Sequence, residues 1–321
     1  MRILIVKMSS LGDVVHMLPA LTDAVSNIPN LLVDWVVEEH FAAIPAMHPA
    51  VRQVIPIGLR RWRKSLTSAS TRQEMIHFIT QLRLEHYDWI VDTQGLIKSM
   101  LVDLLAHGRR GGHAFSSARE SISSLCLNKR ILAPRDLHAI DRNRLVTAGV
   151  LGYPPSTLTP IRYGLDLPAA AIGLELPRRY LVALHGTARA EKEYPAADWA
   201  TLIARLRQAG HEVLLPWSNA AEKHRADTLS LSGGQVLPRL DLVQLTAIIS
   251  RSEGVIGVDT GLMHLAAALK RPGIGLYPTT DPALFGVRAE PDAPPFLNFS
   301  RLDELDPEHV ATTLLALIEQ P

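Results

Sequence analysis

The sequence predicts an α/β protein built from two doubly wound domains, each with a mostly parallel sheet. Three observations lead to this fold class. The chain has 321 residues, which suits about two domains of roughly 150 residues each. Short apolar runs alternate with longer amphipathic runs in both halves of the chain. Between the halves, a proline-rich stretch without a sustained period interrupts this alternation.

The first half of the chain carries the alternation over its whole length. Strands are predicted at residues 3–6, 33–37 and 89–92, with a weaker one at 53–57. Helical patterns lie at residues 14–26, 40–47, 71–85, 97–106 and 138–151. Strands that alternate with helices form a parallel sheet that is covered on both faces. We therefore expect a first domain at residues 1–155.

The second half repeats this organisation after a linker that we place at residues 156–179. Strands are predicted at 180–184, 213–216, 254–258 and 273–277, and helices at 197–209, 219–231, 242–250, 261–269 and 307–319. The second domain then covers residues 180–321, with its last helix a candidate to pack back on the first domain. Ligands of such sheets bind at the carboxyl ends of the strands, so we expect the two domains to face each other across a central cleft.

Charge and cysteine content exclude several classes of protein. Lys and Arg number 33 against 32 Asp and Glu, and this net charge of +1 argues against a strongly basic nucleic-acid binder. Cys126 is the single cysteine, which excludes an intrachain disulfide and a cysteine metal cage, and we expect it to be a buried structural thiol. The sequence shows no secretory leader and no run near the ~18 apolar residues of a membrane span. A soluble, cytoplasmic protein is expected, with peripheral membrane contact left open.

The segment "GVIGVDTGLMHLAAAL" is a β-branched strand followed by Asp259, Thr260 and Gly261 and then by a helix. Thr260 is suited to cap this helix, and Gly261 allows a ligand to approach the backbone closely. The N–H groups and the dipole of a helix N-terminus suit a phosphate, and His264 lies one turn further on. A capped helix that carries a solvated histidine explains the same segment. Neither a GxGxxG fingerprint nor a P-loop occurs in the chain.

Two further strand ends in the second half carry candidate ligand groups. In "GTARAEKEYP", Thr187 offers a hydroxyl and Lys192 an ammonium group that could neutralise a diphosphate leaving group. In "LPWSNAAEKHR", Glu222 could bind ribose hydroxyls. The alternatives are a solvated surface lysine and an ordinary first-turn glutamate.

The first half offers a different chemistry. In "KMSSLGDVVH", Asp13 follows the first strand in a bend that Gly12 permits, and a carboxylate there can take a proton from an acceptor hydroxyl. The alternative is that Ser10 or Asp13 only caps the next helix. In "GLRRWRKS", four cations surround Trp62 and could bind phosphates or carboxylates, although such runs are commonly solvated. Glu38, Glu39 and the segment "DTQGLIKS" also follow strands and are expected to line the same cleft.

Together these segments resemble the lipopolysaccharide heptosyltransferases, a family of inverting glycosyltransferases with the GT-B fold. The opening 24 residues and "RRWRK" resemble the heptosyltransferase I subgroup, whereas "VDTGLMH" is shared more widely in the family. The resemblance implies transfer of heptose from ADP-L-glycero-β-D-manno-heptose to the first Kdo sugar of Kdo2-lipid A. It also implies an acceptor-binding first domain, a donor-binding second domain, no metal in the chemical step and no other cofactor.

The resemblance implies roles for particular residues. Asp13 corresponds to the general base and Lys192 to the diphosphate-binding lysine. The donor-site positions are Thr187, Lys192, Glu222, Asp259, Thr260, Gly261 and His264. The positions for the acidic acceptor are Arg60, Arg61, Arg63, Lys64 and Arg119. The implied partners are the two substrates and the cytoplasmic face of the inner membrane, without nucleic acid.

Two segments depart from the family pattern. Ala188 stands where the family often has a second threonine, and "YPTTDP" replaces the usual tyrosine-glycine-proline-threonine. Two alternatives to the implied activity stay open from the sequence. One is a related transferase that acts on a later core sugar. The other is a nucleotide-sugar epimerase, or a non-catalytic nucleotide-binding module, with the same two-domain fold.

Overall fold

The computed structural model describes residues 1–155, 160–167, 173–187 and 190–319. The chain divides into two compact units, Met1–Asp166 and Leu167–Pro321. Of the expected linker, residues 156–159 and 168–172 lie outside the described ranges. None of the helices within these ranges is long and apolar enough to cross a membrane.

The first unit contains a six-stranded sheet in which every neighbouring pair is parallel. Its strands are β1 (Arg2–Val6), β2 (Leu32–Glu38), β3 (Val51–Ile57), β4 (His86–Asp92), β5 (His107–His113) and β6 (Lys129–Ile131). They lie in the order β3-β2-β1-β4-β5-β6. The helices are α1 (Leu11–Val15), α2 (Leu18–Asn27), α3 (Ala43–Ala46), α4 (Leu59–Trp62), α5 (Ala69–Arg83), α6 (Ile97–Leu105) and α7 (Ala139–Leu151). Short 3₁₀ turns occupy Glu39–Phe41 and Ser121–Cys126.

The second unit contains another six-stranded parallel sheet. Its strands are β7 (Tyr180–Leu184), β8 (Glu212–Leu215), β9 (Gln235–Val236), β10 (Gly254–Val258), β11 (Gly273–Leu276) and β12 (Phe296–Phe299), in the order β12-β11-β10-β7-β8-β9. The helices are α8 (Ala196–Gln208), α9 (Ala220–Ser230), α10 (Leu242–Arg251), α11 (Gly261–Ala268), α12 (Pro282–Phe285) and α13 (Pro307–Ile318). A 3₁₀ turn covers Ala190–Lys192. The last helix, α13, packs against α8, β10 and β11 of its own unit.

Both sheets have the same topology, and this topology positions the candidate site residues. In each unit the first strand lies in the middle of the sheet, the next two strands extend to one side, and the last three extend to the other. The strand order therefore reverses between β1 and β4 and between β7 and β10. In doubly wound sheets, ligands bind in the crevice that opens at this switch point, at the carboxyl ends of the strands.

Several predicted elements differ from those in the structure. The helix expected at 14–26 is instead two helices, α1 and α2. Pro19 lies in the first turn of α2, where a proline is tolerated because it needs no N–H hydrogen bond. The helix expected at 40–47 is a 3₁₀ turn followed by the four-residue α3. Four strands were not predicted from the sequence: β5, β6, β9 and β12.

Candidate active site

The loop after β1 presents Asp13 in the first turn of α1, where Ser10 is the N-cap residue. The Asp13 carboxylate accepts hydrogen bonds from the backbone N–H of Ser10 at 2.7 Å and from its hydroxyl at 3.0 Å. This is the reciprocal half of a capping box, so Asp13 does stabilise the start of the helix. The side chain is half-buried, so its carboxylate also remains accessible from solvent. The helix-capping role and a chemical role are therefore compatible at this residue.

Residues after β4 hold the loop after β1 in place across the switch point. Gln94 accepts hydrogen bonds from the N–H groups of Met8 at 2.9 Å and Ser9 at 3.2 Å, and its amide donates to the Ser9 carbonyl at 2.6 Å. The ammonium group of Lys98 donates to the Ser9 hydroxyl at 2.6 Å. Both residues belong to the segment "DTQGLIKS", which was expected to line the cleft, although neither was given a role of its own. The strand-end position placed the segment, but the contacts with Met8 and Ser9 could not be predicted from it.

A buried pair of acidic residues organises the loop after β4. Asp92 accepts hydrogen bonds from the N–H groups of Gln94 at 2.7 Å and Gly95 at 3.1 Å, and from the Ser99 hydroxyl at 2.7 Å. Gly95 has a φ of +61°, which favours glycine. Asp103 is hydrogen-bonded to Asp92, and burial and the Asp92 charge raise its pKa well above its usual value. No N–H or hydroxyl donor among the described residues reaches the Asp103 oxygens, so the Asp103 carboxyl must itself carry the shared proton.

Cations surround Asp13 and its loop. Lys7, at the end of β1, is buried and donates to the Thr93 carbonyl at 2.7 Å. Burial lowers the pKa of Lys7, while the charges of Asp13 and Asp92 act in the opposite direction. Arg119 and Arg142 add positive charge that lowers the pKa of Lys7 further. Asp13 is therefore a carboxylate in a cationic environment, and Arg142 is a member of this group that the sequence did not reveal.

The basic segment after β3 divides into cations with different surroundings. Arg61 in α4 forms ion pairs with Glu39 and Glu74, so carboxylates already balance its charge. Trp62 is buried and donates from its indole to Glu74 at 2.8 Å. Arg60 lies over the Phe41 ring, with its guanidinium carbon 5.6 Å from the ring centroid. Arg63 and Lys64 are exposed.

Arg60 and Arg63 belong to the same electrostatic environment as Lys98. Burial lowers the pKa of Lys98, the charge of Glu38 raises it, and the charges of Arg60 and Arg63 lower it further. Glu38 is buried at the end of β2, and its Oε2 atom has no hydrogen-bond partner among the described residues. Burial raises the pKa of Glu38, and the Arg60 guanidinium partly offsets that effect. The structure thus groups Arg60, Arg63 and Lys98 near Glu38, whereas Arg61 is engaged elsewhere.

In the second unit, Lys192 and Asp259 meet at the switch point between β7 and β10. The Lys192 ammonium group lies 2.5 Å from the Asp259 carboxylate, with 23% and 14% of the two side chains exposed. The Thr187 hydroxyl donates to the Asp259 carbonyl at 3.2 Å. Ala188 lies outside the described residues. The loop after β11, "YPTTDP", reaches the Lys192 turn, since the Thr279 hydroxyl donates to the Glu191 carbonyl at 3.0 Å.

Helix α11 starts directly after Asp259 and directs its N-terminus to the same place. Thr260 is the N-cap residue, but its side chain makes no capping hydrogen bond, and Gly261 is the first helical residue. The first-turn N–H groups therefore lack the partner that an N-cap side chain commonly supplies. His264 is buried one turn further along. A cation and an uncapped helix N-terminus at one switch point can together bind a phosphate group.

Glu222 lies in the first turn of α9 and against the loop after β7. Its carboxylate accepts hydrogen bonds from the N–H of Ser218 at 2.7 Å and from the Ser218 hydroxyl at 2.8 Å. A Cβ atom on Gly186 would lie 2.8 Å from the Glu222 Cδ atom, so a larger residue at position 186 would displace the Glu222 side chain. Glu222 is therefore both a first-turn helix residue and a neighbour of the loop after β7. His185, which precedes Gly186, is fully buried, and burial lowers its pKa to about 4.

Two remaining expectations concern metals and the cysteine. Within the described ranges, no group of three or more His, Cys, Asp or Glu side chains could hold a metal ion. Cys126 is half-buried rather than fully buried, and it ends the 3₁₀ turn Ser121–Cys126. Burial raises the pKa of its thiol to about 11.

Comparison with known proteins identifies the family. The model of glycosyltransferase family 9 (heptosyltransferase) matches residues 75–297. Lipopolysaccharide heptosyltransferase 1 of Escherichia coli K12 is 43% identical over 89% of this chain and 90% of its own length. The enzyme of that name from Pseudomonas aeruginosa PAO1 is also 43% identical, over 89% of this chain and 81% of its own length. The solved structure of E. coli heptosyltransferase WaaC with ADP aligns over 100% of this chain and 99% of that chain, at 38% identity and a TM-score of 0.87. The fold is therefore of the GT-B type, and the chain belongs to glycosyltransferase family 9, the heptosyltransferases, within its lipopolysaccharide heptosyltransferase I group.

Proposed function

We propose that this chain transfers heptose from ADP-L-glycero-β-D-manno-heptose to the first Kdo sugar of Kdo2-lipid A, with inversion at the anomeric carbon. The observation that carries the proposal is the chemical contrast between the two switch points. One holds a half-buried carboxylate among cations, and the other holds a lysine beside an uncapped helix N-terminus. Family membership and the ADP bound to the E. coli relative support the same class of donor.

On the donor side, the leaving group is a diphosphate whose negative charge grows as its bond to the sugar breaks. Lys192 and the N-terminus of α11, with Thr260 and Gly261, stabilise this charge as it develops. Asp259 pairs with Lys192, and Thr187 donates to the Asp259 carbonyl, so these residues hold Lys192 and its loop. His264 is buried one turn into helix α11. Glu222 accepts the ribose hydroxyls. In this proposal the protein's own charges stabilise the leaving group, and no metal takes part.

On the acceptor side, Asp13 takes the proton from the Kdo hydroxyl as that oxygen attacks the anomeric carbon. The hydrogen bonds from Ser10 fix the direction of the carboxylate. The acidic acceptor is held by Arg60, Arg63, Lys64 and Arg119, with Arg61 contributing through the Glu39–Glu74 network. Carboxylates and phosphates are the natural partners of such guanidinium groups.

The acceptor also fixes the proposed place of the reaction. Kdo2-lipid A is a lipid, so the enzyme works at a membrane surface, and we place it at the cytoplasmic face of the inner membrane. The partners in this proposal are the nucleotide-sugar donor, the lipid acceptor and that surface. Nucleic acid is not among them, in keeping with the net charge of +1.

The assignment of Asp13 is tested with Asp13→Asn and Asp13→Ala. Asparagine keeps an oxygen that accepts hydrogen bonds from Ser10 but cannot act as a base, so both variants should lose ~10²–10⁴-fold in kcat. Binding of ADP-heptose, measured by calorimetry, should stay within about twofold because the donor binds in the other unit. Ser10→Ala is the matched control, since it removes only one hydrogen bond to the carboxylate.

Near-normal turnover by Asp13→Asn would show that the side chain only caps α1. The same assay separates the acceptor alternatives when it is run with Kdo2-lipid A and with an already heptosylated acceptor. Preference for the heptosylated acceptor would show that the enzyme adds its sugar to a later position of the core. Isomerisation of the donor in the absence of any acceptor would point instead to an epimerase.

A further inference from the structure

Helix α6 buries two polar residues beside the apolar Val102 and leaves three aliphatic residues exposed. Ser99 and Asp103 are completely buried, whereas Ile97, Leu101 and Leu104 are 41%, 55% and 48% exposed. Positions i, i+4 and i+7 lie on one face of a helix, so the three aliphatic side chains form a single outward stripe. A helix on the surface of a water-soluble unit normally buries such a stripe and exposes its polar residues. Here the polar pair is used inside, to bind Asp92, and the apolar stripe is left outside.

The 3₁₀ turn Ser121–Cys126 packs against α6 and also combines buried polar residues with exposed aliphatic ones. Its Ser123 and Ser124 are buried, whereas Ile122 is 54% and Leu125 65% exposed. Two adjoining elements therefore present five aliphatic side chains to the outside. We call this set, Ile97, Leu101, Leu104, Ile122 and Leu125, the α6 surface. A cluster of exposed aliphatic side chains of this kind marks a site of contact with a partner or a membrane.

The charges near the α6 surface indicate which partner fits. Lys98 lies in α6, Arg110 donates to the Asp103 carbonyl of α6 at 2.8 Å, and Arg119 precedes the 3₁₀ turn. Residues 97–132 contain two acidic residues, and two further cations of this segment, Arg109 and Lys129, lie at the Trp89 ring instead. One of the two acids, Asp103, is buried, and the other, Glu120, accepts the N–H of Ile97 at 2.6 Å. Arg130 is fixed beside the surface, since it donates to the Ser124 carbonyl at 2.8 Å and to the Leu125 carbonyl at 3.3 Å. Aliphatic side chains within a cationic rim suit an anionic lipid layer.

The α6 surface is also continuous with the candidate acceptor site. Lys98, the second residue of α6, donates to the Ser9 hydroxyl and shares the electrostatic environment of Asp13 and Arg63. The stripe starts at the neighbouring Ile97. A second copy of this chain fits less well, because a self-complementary contact on this face would bring its own cations together.

We propose that the α6 surface lies against an anionic lipid bilayer while Lys98 and the adjacent cations engage the acceptor. The choice of a lipid partner rests on the proposed function, in which the acceptor is itself a membrane lipid. The aliphatic side chains enter the boundary between headgroups and acyl chains, and the cations at the rim contact the anionic headgroups. Binding combines apolar burial with charge attraction, so it weakens as the salt concentration rises.

The test uses the full chain and phosphatidylcholine vesicles prepared with and without phosphatidylglycerol. Wild-type protein should co-sediment with the anionic vesicles and much less with the neutral ones. Leu101→Gln/Leu104→Gln and, separately, Ile122→Gln/Leu125→Gln should each lower the partition coefficient by about tenfold or more. Leu302→Gln is the matched control, since Leu302 is 91% exposed in the second unit and should not matter.

Activity assays distinguish this proposal from the proposed function. With an acceptor that lacks acyl chains, the double variants should turn over as wild type does, whereas with vesicle-bound acceptor their KM should rise. Vesicle binding that survives both double substitutions overturns the proposal. A wild-type dimer that these substitutions dissociate, without any vesicle binding, also overturns it in favour of a protein interface. If the wild type binds anionic vesicles through this surface but transfers no sugar to either acceptor, the α6 surface stands and the proposed function fails.

Discussion

At the scale of single residues, the ion pair of Lys192 and Asp259 raises a question about what the lysine does. The two groups are 2.5 Å apart and partly buried, so Asp259 neutralises Lys192 before any ligand arrives. A bound diphosphate would have to share or replace this partner. Lys192 could act directly on the diphosphate, or it could only cancel a carboxylate that would otherwise repel it.

Two variants separate these roles of Lys192. Lys192→Ala should lower kcat by about 10²-fold and raise the donor KM, because the leaving group loses its cation. If the lysine acts on the diphosphate, Lys192→Ala/Asp259→Asn should remain as impaired as the single variant. Steady-state kinetics with varied ADP-heptose measure both parameters.

Recovery of activity in the double variant would limit Lys192 to neutralising Asp259. Unchanged kinetics in Lys192→Ala would show that Lys192 takes no part in the reaction. Arg205→Ala is the control, since it breaks an exposed ion pair with Glu308 in the same unit and should change neither kcat nor KM.

The sequence predicted the positions of single residues better than their contacts. The positions of Asp13, Lys192 and Asp259 at strand ends could be predicted from local patterns. The partners of Lys192 could not, because Asp259 is 67 residues away and meets it only once β10 lies beside β7. The contacts of Gln94 could not be predicted for the same reason, since its hydrogen bonds to Met8 and Ser9 depend on β4 lying beside β1.

At the scale of elements, helix α6 depends on the protonation of one buried side chain, the carboxyl of Asp103. Asp103 and Asp92 share a hydrogen bond inside the unit, and the pKa of Asp103 is raised well above 3.8. A raised pKa means that the folded state holds this proton more tightly than the unfolded state. The stabilising contribution is complete below the usual pKa of an aspartate and declines as the pH rises toward the raised value.

Asp103→Asn should therefore stabilise the protein at pH values above 3.8, because its amide donates to Asp92 at every pH. The free energy of unfolding of this variant should depend less on pH than that of the wild type. Asp103→Leu, which fills similar space without a donor, should be destabilised by about 1–3 kcal/mol. Urea unfolding at a series of pH values measures all three proteins.

An equal pH dependence in the wild type and in Asp103→Asn would show that Asp103 carries no extra proton. Stability of Asp103→Leu equal to that of the wild type would show that Asp92 needs no hydrogen from this helix.

The strands show which elements a sequence pattern can predict. Buried strands such as β1 and β10 are continuous apolar runs and were predicted nearly to the residue. Strand β5, "HGRRGGH", has no such run, because its glycines make room for neighbours. A Cβ atom on Gly111 would lie 2.6 Å from the Val150 side chain, and one on Gly112 would lie 2.5 Å from the Asp92 carbonyl oxygen. In β5, glycines that allow close packing take the place of apolar side chains. This packing cannot be inferred from the sequence without knowing which residues lie next to the strand.

At the scale of the whole molecule, each unit contains at least one buried histidine whose pKa is lowered by burial. Burial lowers the pKa of His48 to about 4 and that of His113 to about 3 in the first unit. It lowers the pKa of His185 to about 4 in the second unit. Unfolding lets each ring regain a value near 6.5 and bind a proton. Both units therefore lose stability in acid.

The free energy of unfolding should decrease progressively as the pH falls from 6.5 toward about 4. Each lowered histidine contributes stability that is complete above 6.5 and lost below it, at up to about 1.4 kcal/mol per pH unit. His48→Gln should reduce this slope, because the Nδ1 atom of His48 accepts the N–H of Ala50 and so requires a neutral ring. Urea unfolding between these pH values gives the slope.

His77→Gln is the control, since that exposed histidine on α5 should leave the slope unchanged. A slope that His48→Gln leaves intact would assign the acid sensitivity to other groups.

The two-domain α/β organisation was predictable because alternating strands and helices allow few other folds. The order of strands within each sheet was not, since local patterns do not say which strands become neighbours. Outer strands such as β9, with two residues, leave almost no pattern to detect.

The position of Cys126 has a practical consequence. It is the only cysteine in the chain, and it ends the turn that carries Ile122 and Leu125. A fluorescent or spin label can therefore be attached next to the α6 surface without removing or introducing any thiol. With the thiol pKa raised to about 11, little thiolate is present at neutral pH, so labelling will need alkaline solution or long incubation. The native protein thus supplies its own reporter for depth measurements at a lipid boundary.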